Sequence, residues 1–319
     1  MEESCGVIMR VLVAGATGVI GRQLVPLLAE VGHEPIALAR TDRRKKAVPG
    51  VEFVTADALD RAAVAGVVAA ARPDAVVHLL TAIPDDLHPR ELAAGFAVTN
   101  RLRTEGTRNL LDAAGDAGAT RIITQGLAFG YDPGDGGQVR DEDAPLWTDA
   151  PEQFRPVVAA LADLERQTAA AGGLVLRLGH LYGPATAFAP GGRILAQIEA
   201  GAMPIVGDGG SLFSFTHTHD AATAITAALD KPVGGALNVV DDTPVPVREW
   251  LPELARLLGA PAPPRISAAR ALEAVGEWGV AYNTRLAGAD NSRARLRLDW
   301  RPRYRSWWEG FAAELAATG

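Results

Sequence analysis

Cysteine is nearly absent from this sequence: Cys5 stands alone among 319 residues. A single thiol excludes an internal disulfide and a thiolate metal cluster, and it points to a reducing compartment. No stretch approaches the about 18 uninterrupted apolar residues that a bilayer crossing needs. The acidic start MEESCGVIM also lacks the charged segment and long apolar run of a secretory leader. The expectation is therefore a cytoplasmic protein with no membrane partner, residues 1 to 8 forming a loose extension before the first strand. A basic excess is missing too, since the net charge is -7 and the pI about 5.4. That leaves no general surface for a polyanion, and nucleic acid is excluded as a partner. Aromatic residues make up only 6%, so Ala-rich helices should pack closely on small side chains. No internal repeat is visible.

What is present is a chain large enough to enclose a ligand, with 48% hydrophobic and 22% charged residues. RVLVAGATGVIGRQLVPLLAEVGHEPIALAR, residues 10 to 40, runs from an apolar stretch through a Gly-rich turn into an amphipathic stretch and a second apolar run. The alternation recurs in VEFVTAD (51 to 57), a helix capped by Asp60 and stopped before Pro73, and DAVVHLL (74 to 80). It continues through a helix near 91 to 114, RIITQG (121 to 126), FRPVVAALADLER (154 to 166) and GLVLRLG (173 to 179). Strands alternating with helices predict an α/β fold, a doubly wound parallel sheet of the Rossmann type covered on both faces. Pro26 sits inside the first helix, where packing must compensate for a lost hydrogen bond. Residues 9–180 read as the dinucleotide-binding part. Residues 181–319 read as a smaller, mainly helical substrate-binding region, with 213–240 partly returning to the sheet. Its short helices fall near 191 to 200, 220 to 229, 248 to 258 and 268 to 276, and Ser306 with Glu309 marks a capping box for the last one.

GATGVIG sets Gly15, Gly18 and Gly21 where a strand turns into a helix, with Thr17, Val19 and Ile20 between them. Such a turn lets the backbone approach a pyrophosphate, and the helix start offers free N–H groups and a positive dipole end. NAD binding uses a carboxylate at the end of the second strand, but here that strand ends in Ala39 and Arg40. Arg40, followed by Arg43, Arg44, Lys45 and Lys46, favours the 2'-phosphate of NADP, so NADP is expected over NAD. Asp42 could still reach a ribose.

The chain resembles the extended short-chain dehydrogenase/reductases, the NAD-dependent epimerase/dehydratase family. The resemblance runs from Arg10 to about Trp308 through GATGVIG, TAD ending at Asp57, VVHLLT, the N-x-x-x-x-x-GTRNLL pattern from Asn100, VLRLGHLYGP, FTHTHD and LDWRPRY. It implies that Asp57 and Ala58 lie against the adenine, that Leu80, Thr81 and Ala82 line the cofactor, and that the chain forms a homodimer. The family's chemistry resembles a proton relay: a Ser or Thr after the fifth strand, and a Tyr four residues before a Lys. A free Tyr has a pKa of about 10, and the cation brings its phenolate within reach of neutral pH.

That relay is missing. Gln125 takes the Ser/Thr place in TQGLAFGY. Counting back from Glu165 puts Val157 and Leu161 at the Tyr and Lys positions. No shift restores the pair, because the only lysines are Lys45, Lys46 and Lys231, and the only tyrosine between 132 and 281 is Tyr182. Residues 157 to 164 are apolar except Asp163, a surface suited to close helix packing and to a dimer interface.

Three residues remain as candidates for chemistry. His180 lies just past the sixth strand, where its imidazole either titrates near neutrality or is a hydrogen-bonded filler. Gln125 can orient a carbonyl but cannot transfer a proton. Tyr131 lies in the loop nearest the lost serine, with Asp132, Asp135 and Glu142. Asp85, Asp86 and His88 border the pocket from the previous loop. His217 and His219, two apart, point to opposite faces of a strand, so no metal is expected, and Asp220 should cap the following helix. Three functions stay open for a small-molecule substrate. They are a NADP-dependent oxidoreductase with a non-standard site, a non-redox isomerase, lyase or cyclase that keeps the nicotinamide as a structural element, and a non-catalytic NADP sensor.

Overall fold

The computed structural model describes residues 7–41, 50–84 and 87–317. Cys5, Asp42, Arg43, Arg44, Lys45, Lys46, Asp85 and Asp86 lie outside the described residues. Seven apolar runs form one parallel sheet: β1 (Arg10–Ala14), β2 (Glu34–Ala39), β3 (Glu52–Thr55), β4 (Ala75–His78), β5 (Arg121–Leu127), β6 (Leu174–Leu178) and β7 (Gly235–Val239). Their order is β7-β6-β5-β4-β1-β2-β3. Val11, Leu12, Val13 and Ala14 have no exposed surface, since helices cover both faces and a central strand has no solvent side. Connections leave β1 toward β2 on one side and return to β4 on the other. A crevice opens at that switch point, beyond the carboxyl ends of the strands.

The flanking helices are α1 (Gly21–Glu30), α2 (Arg61–Ala71), α3 (Ala97–Arg101), α4 (Thr107–Asp116), α5 (Arg155–Ala170) and α6 (Thr218–Leu229). Asp60 caps α2 by accepting from the N–H groups of Ala62 and Ala63, and the chain leaves the helix through Arg72 at φ 45. Pro26 is carried inside α1, which packs on α6 through Leu24, Val25, Leu28, Ala221 and Ile225. The helix expected near 91 to 114 is divided into Leu92–Gly95, α3, a π turn over Leu102–Gly106, and α4. The turn is held from β4. His78 Nδ1 accepts from the Leu80 N–H, so Nε2 carries the proton toward the Leu102 carbonyl at 3.3 Å.

Part of the C-terminal stretch returns to the sheet. α6, β7 and the side chains of Ala294, Leu298 and Trp300 share the apolar core of β1. A second core gathers much of the chain's aromatic content, with Phe213, Phe215, Trp250 and Phe311 almost fully buried. It forms between α5 and the helices Val247–Leu257, Ala268–Thr284 and Trp307–Ala316. Small side chains do pack the sheet layers, but here large rings do that work. Gly276, at φ 74, kinks the helix that the sequence ends at 276, and the helix runs on to Thr284. Ser306 Oγ accepts from the Glu309 N–H, completing the N-terminal half of the capping box.

Two expectations are corrected. His217, not Asp220, caps α6: its Nδ1 accepts from the His219 N–H, while Asp220 accepts from the backbone N–H of Arg303. The strand also ends at His217, so His219 already belongs to the helix. On α5, Val157, Val158, Ala160, Leu161 and Leu164 are buried within the chain itself. Ala159 and Ala162 on the same helix stay exposed.

Candidate active site

Three glycines shape the floor of the crevice. Gly15 sits at φ 98, and a Cβ there would lie 3.0 Å from the backbone of Leu79, so β1 and β4 approach where only a hydrogen fits. A Cβ on Gly18 would stand 3.2 Å from the Gly15 carbonyl oxygen, and one on Gly21 2.4 Å from the same atom. The first residue of α1 thus rests directly on the turn, and the helix N-terminus, the anion-favouring end, overlooks the crevice.

Two cavities open there and share Gly15, Gly18, Val19, Leu79 and Thr81. The first, of about 510 Å³, is bordered by Thr17, Ala39, Arg40, Asp57, Ala58, Leu80 and Ala82. Its rim is tied down locally. Asp57 accepts from the Leu59 N–H, Asn109 Nδ2 donates to the Ala58 carbonyl, and Thr99 Oγ1 accepts from the Ala82 N–H. Among the described residues no carboxylate stands at the end of β2: Ala39 is buried there and Arg40 is exposed beside it. An elongated trough with a glycine floor, a helix N-terminus and a guanidinium at one side has the donor set for a dinucleotide bearing phosphates. The residues fit such a group.

The second cavity, of about 670 Å³, adds Ile20 and Gly21 to the shared wall and carries the polar groups Arg103, Gln125, His180 and Tyr282. The structure therefore brings Gln125 and His180 together with Gly15, Gly18, Val19, Ile20 and Gly21 of the glycine turn, while Thr17 borders the first cavity alone. His180 is only 5% exposed. Its ring is stacked between Phe213 at 3.7 Å and Phe129 at 4.5 Å. Burial holds its pKa down at about 3, so the imidazole is neutral near pH 7. Nδ1 faces the Ser214 carbonyl at 3.3 Å and carries the proton, which leaves Nε2 as a buried acceptor without a partner among the described residues. Burial likewise raises the Tyr282 phenol above its ordinary value. It stays protonated.

Tyr131 is not part of this cavity. Its hydroxyl donates to Asn238 Oδ1 at 2.7 Å and accepts from Arg177 Nη1 at 2.8 Å, both in the interior. The loop after β5 folds back against β7 here, and Phe129 from the same loop reaches the cavity instead. Glu142 belongs to the same network, accepting from the Asn238 N–H. His88 caps the short turn Pro89–Glu91. Val157 and Leu161 have no exposed surface and belong to the aromatic core. Leu161 lies against the loop at Gly130, where a Cβ would be 3.6 Å from Leu161 Cδ1. The contact there is apolar.

The sequence reading passed over three groups. Arg103 had a local signal, since it falls with Thr99, Leu102, Gly106 and Thr107 at the spacing of a buried helical stripe, where a charge is unusual. Phe129 and Tyr282 had none, because only the folding of the loop after β5 and of the distant helix Ala268–Thr284 carries them to the cavity.

Comparison with known proteins bears on this geometry. The model of the NAD dependent epimerase/dehydratase family matches residues 11–240, from β1 to just past β7. The chain belongs to that family. It is an enzyme of the short-chain dehydrogenase/reductase type. A relative is the 3-diazoavenalumate denitrifying reductase of a Streptomyces species, 47% identical over 312 residues, covering 96% of this chain and 100% of the relative. Among solved structures, the Bordetella bronchiseptica enzyme WbmG in complex with NAD has a TM-score of 0.74 at 20% identity, over 99% of this chain and 95% of that one. The human epimerase family protein SDR39U1 with NADPH has a TM-score of 0.70 at 22% identity, over 97% and 99% of the two chains. The two structural matches share the fold. The helix α5 lies inside the family match.

Proposed function

We propose that this chain is a nicotinamide-dependent reductase, using NADP in preference to NAD, that reduces a small electrophile without a tyrosine and lysine relay. The observation that carries this reading is a glycine-floored crevice whose neighbouring helix closes Val157 and Leu161, the residues the sequence aligns with the relay, into the apolar core. The reductase name of the 47% identical relative supports the direction of the reaction, and Arg40 beside a carboxylate-free β2 end supports NADP.

A bound reduced nicotinamide supplies a hydride. Reducing a carbonyl also requires a proton on its oxygen, and this cavity offers poor donors: an amide, a neutral imidazole, a phenol whose acidity burial has weakened and the Arg103 guanidinium, which holds its proton at neutral pH. An aryl diazonium that gains a hydride becomes the arene and releases dinitrogen, with no net proton to deliver. The substrate class that fits the missing relay is therefore a diazo-bearing aryl compound of the kind named for the relative. Gln125 and His180 would orient it, and the apolar wall would exclude water.

The test is to follow NADPH absorbance with 3-diazoavenalumate and with a panel of aldehydes and ketones. Absorbance should fall with the diazo compound and barely change with the carbonyls. Product without loss of absorbance would instead favour an isomerase, lyase or cyclase, and NADPH retention without any product would favour a sensor.

A further inference from the structure

Arg103 is a charged side chain in an unusual position. It is 3% exposed, sits on the π turn Leu102–Gly106 and borders the second cavity but not the first. Its Nη1 is buried without a hydrogen-bond partner among the described residues, and no ion pair of its guanidinium is found there. One face of the guanidinium is covered by the Phe96 ring at 5.8 Å. Burial lowers its pKa to about 10, so it remains a cation at neutral pH. An unpaired buried cation is costly to a fold, and natural chains pair or solvate such groups. The chain does so elsewhere. Arg177 is equally buried and holds Glu165, and Arg193, on the same cavity, is exposed to solvent.

A second group in the cavity is left open in the same way, the unpartnered Nε2 of His180. Around both the wall is apolar, with Leu79, Ile83, Leu127 and Phe129. We infer that Arg103 is the anchor for a carboxylate on an otherwise apolar, planar substrate, gripping it through the guanidinium fork while the body of the ligand lies on that wall. Carboxylate geometry matches the fork, and the apolar surroundings strengthen the pairing. The glycine turn also lines this cavity, so loss of NADPH binding in Arg103→Met would assign the guanidinium to the cofactor phosphates and overturn the inference. The inference rests on the reductase reading for the identity of the site as a substrate pocket, and its test reads binding alone.

The test is calorimetric titration of the NADPH-loaded protein with three acids, benzoate, cinnamate and 3-phenylpropanoate, each beside its neutral amide. The acids should bind roughly 10- to 100-fold more tightly than the amides. Arg103→Met should abolish that preference while retaining NADPH, and it should melt at or above the wild-type temperature, because it removes an unpaired buried charge. Arg103→Lys should keep part of the preference, and it serves as the readout if the Met variant does not fold. Equal binding of every acid and amide by the wild type would overturn the inference, as would an unchanged preference in Arg103→Met. NADPH turnover without acid preference would leave the reductase reading standing and the anchor refuted. Acid preference without turnover would do the reverse.

Discussion

Arg177 on β6 holds Glu165 on α5 through two hydrogen bonds, Nε to Oε1 at 2.8 Å and Nη2 to Oε2 at 2.7 Å. The side chains are 7% and 16% exposed. This pair fixes the helix that carries Val157 and Leu161, and Arg177 also reaches the Tyr131 hydroxyl and the Glu142 carbonyl. Removing one partner strands a buried charge. Glu165→Gln is expected to lose about 3 kcal/mol in urea unfolding. The double replacement Arg177→Met with Glu165→Leu should lose less than the sum of the single changes. Additive losses would contradict the pairing.

Gly21→Ala tests the seat of α1. The added Cβ would stand 2.4 Å from the Gly15 carbonyl oxygen and 2.6 Å from Ala16, so the helix must move off the turn. A stability loss of about 2 kcal/mol, with a marked loss of NADPH affinity in a fluorescence titration, is the expected result. Wild-type affinity in a stable Gly21→Ala protein would show that the turn does not seat a dinucleotide.

These two sites mark what could be read before folding and what could not. The glycine turn, the Asp60 cap and the Ser306 cap depend on residues close in sequence, and each lies where the pattern put it. The doubly wound sheet followed from repeated apolar runs for the same reason. Tyr131, Asp220 and Tyr282 were decided by distant partners, Asp220 by the Arg303 N–H. The Tyr131 hydroxyl is taken by Asn238 and Arg177, and the helix that brings Tyr282 to the cavity is far along the chain. The unbroken helix expected near 91 to 114 is interrupted after Gly95 and again over Leu102–Gly106, where His78, on another element, binds the Leu102 carbonyl. Local sequence reports local hydrogen bonds, and it reports tertiary ones only when a residue violates the buried stripe, as Arg103 does.

Cofactor choice is tested at Arg40, which borders the first cavity and is exposed. Arg40→Ala should weaken NADPH roughly 10- to 100-fold and leave NADH nearly unchanged, as measured by calorimetry. Equal weakening of both would remove the argument for NADP.

His180 gives the fold a definite pH dependence. Its folded pKa lies near 3, below the unfolded value of about 6.5. Between those values the unfolded chain takes up a proton that the native site refuses. Its contribution is thus full above about pH 6.5 and is lost as the pH falls toward 3. Relative to His180→Asn, the wild type should lose up to about 1.4 kcal/mol per pH unit across that window, read from urea unfolding at several pH values. His78, held down to about 4 by burial, adds the same sign in both proteins and cancels in the comparison. Parallel curves for the two proteins would mean that His180 is charged in the fold.

The account stands most directly on whether the nicotinamide is consumed by an enzyme that has no relay. The decisive measurement is the ratio of NADP formed to arene formed from 3-diazoavenalumate, with the rate compared between NADPH and NADPH deuterated at the hydride-donating carbon. One NADP per product molecule and a slower rate with the deuterated cofactor are predicted. Product accumulating with no NADP formed would contradict the account.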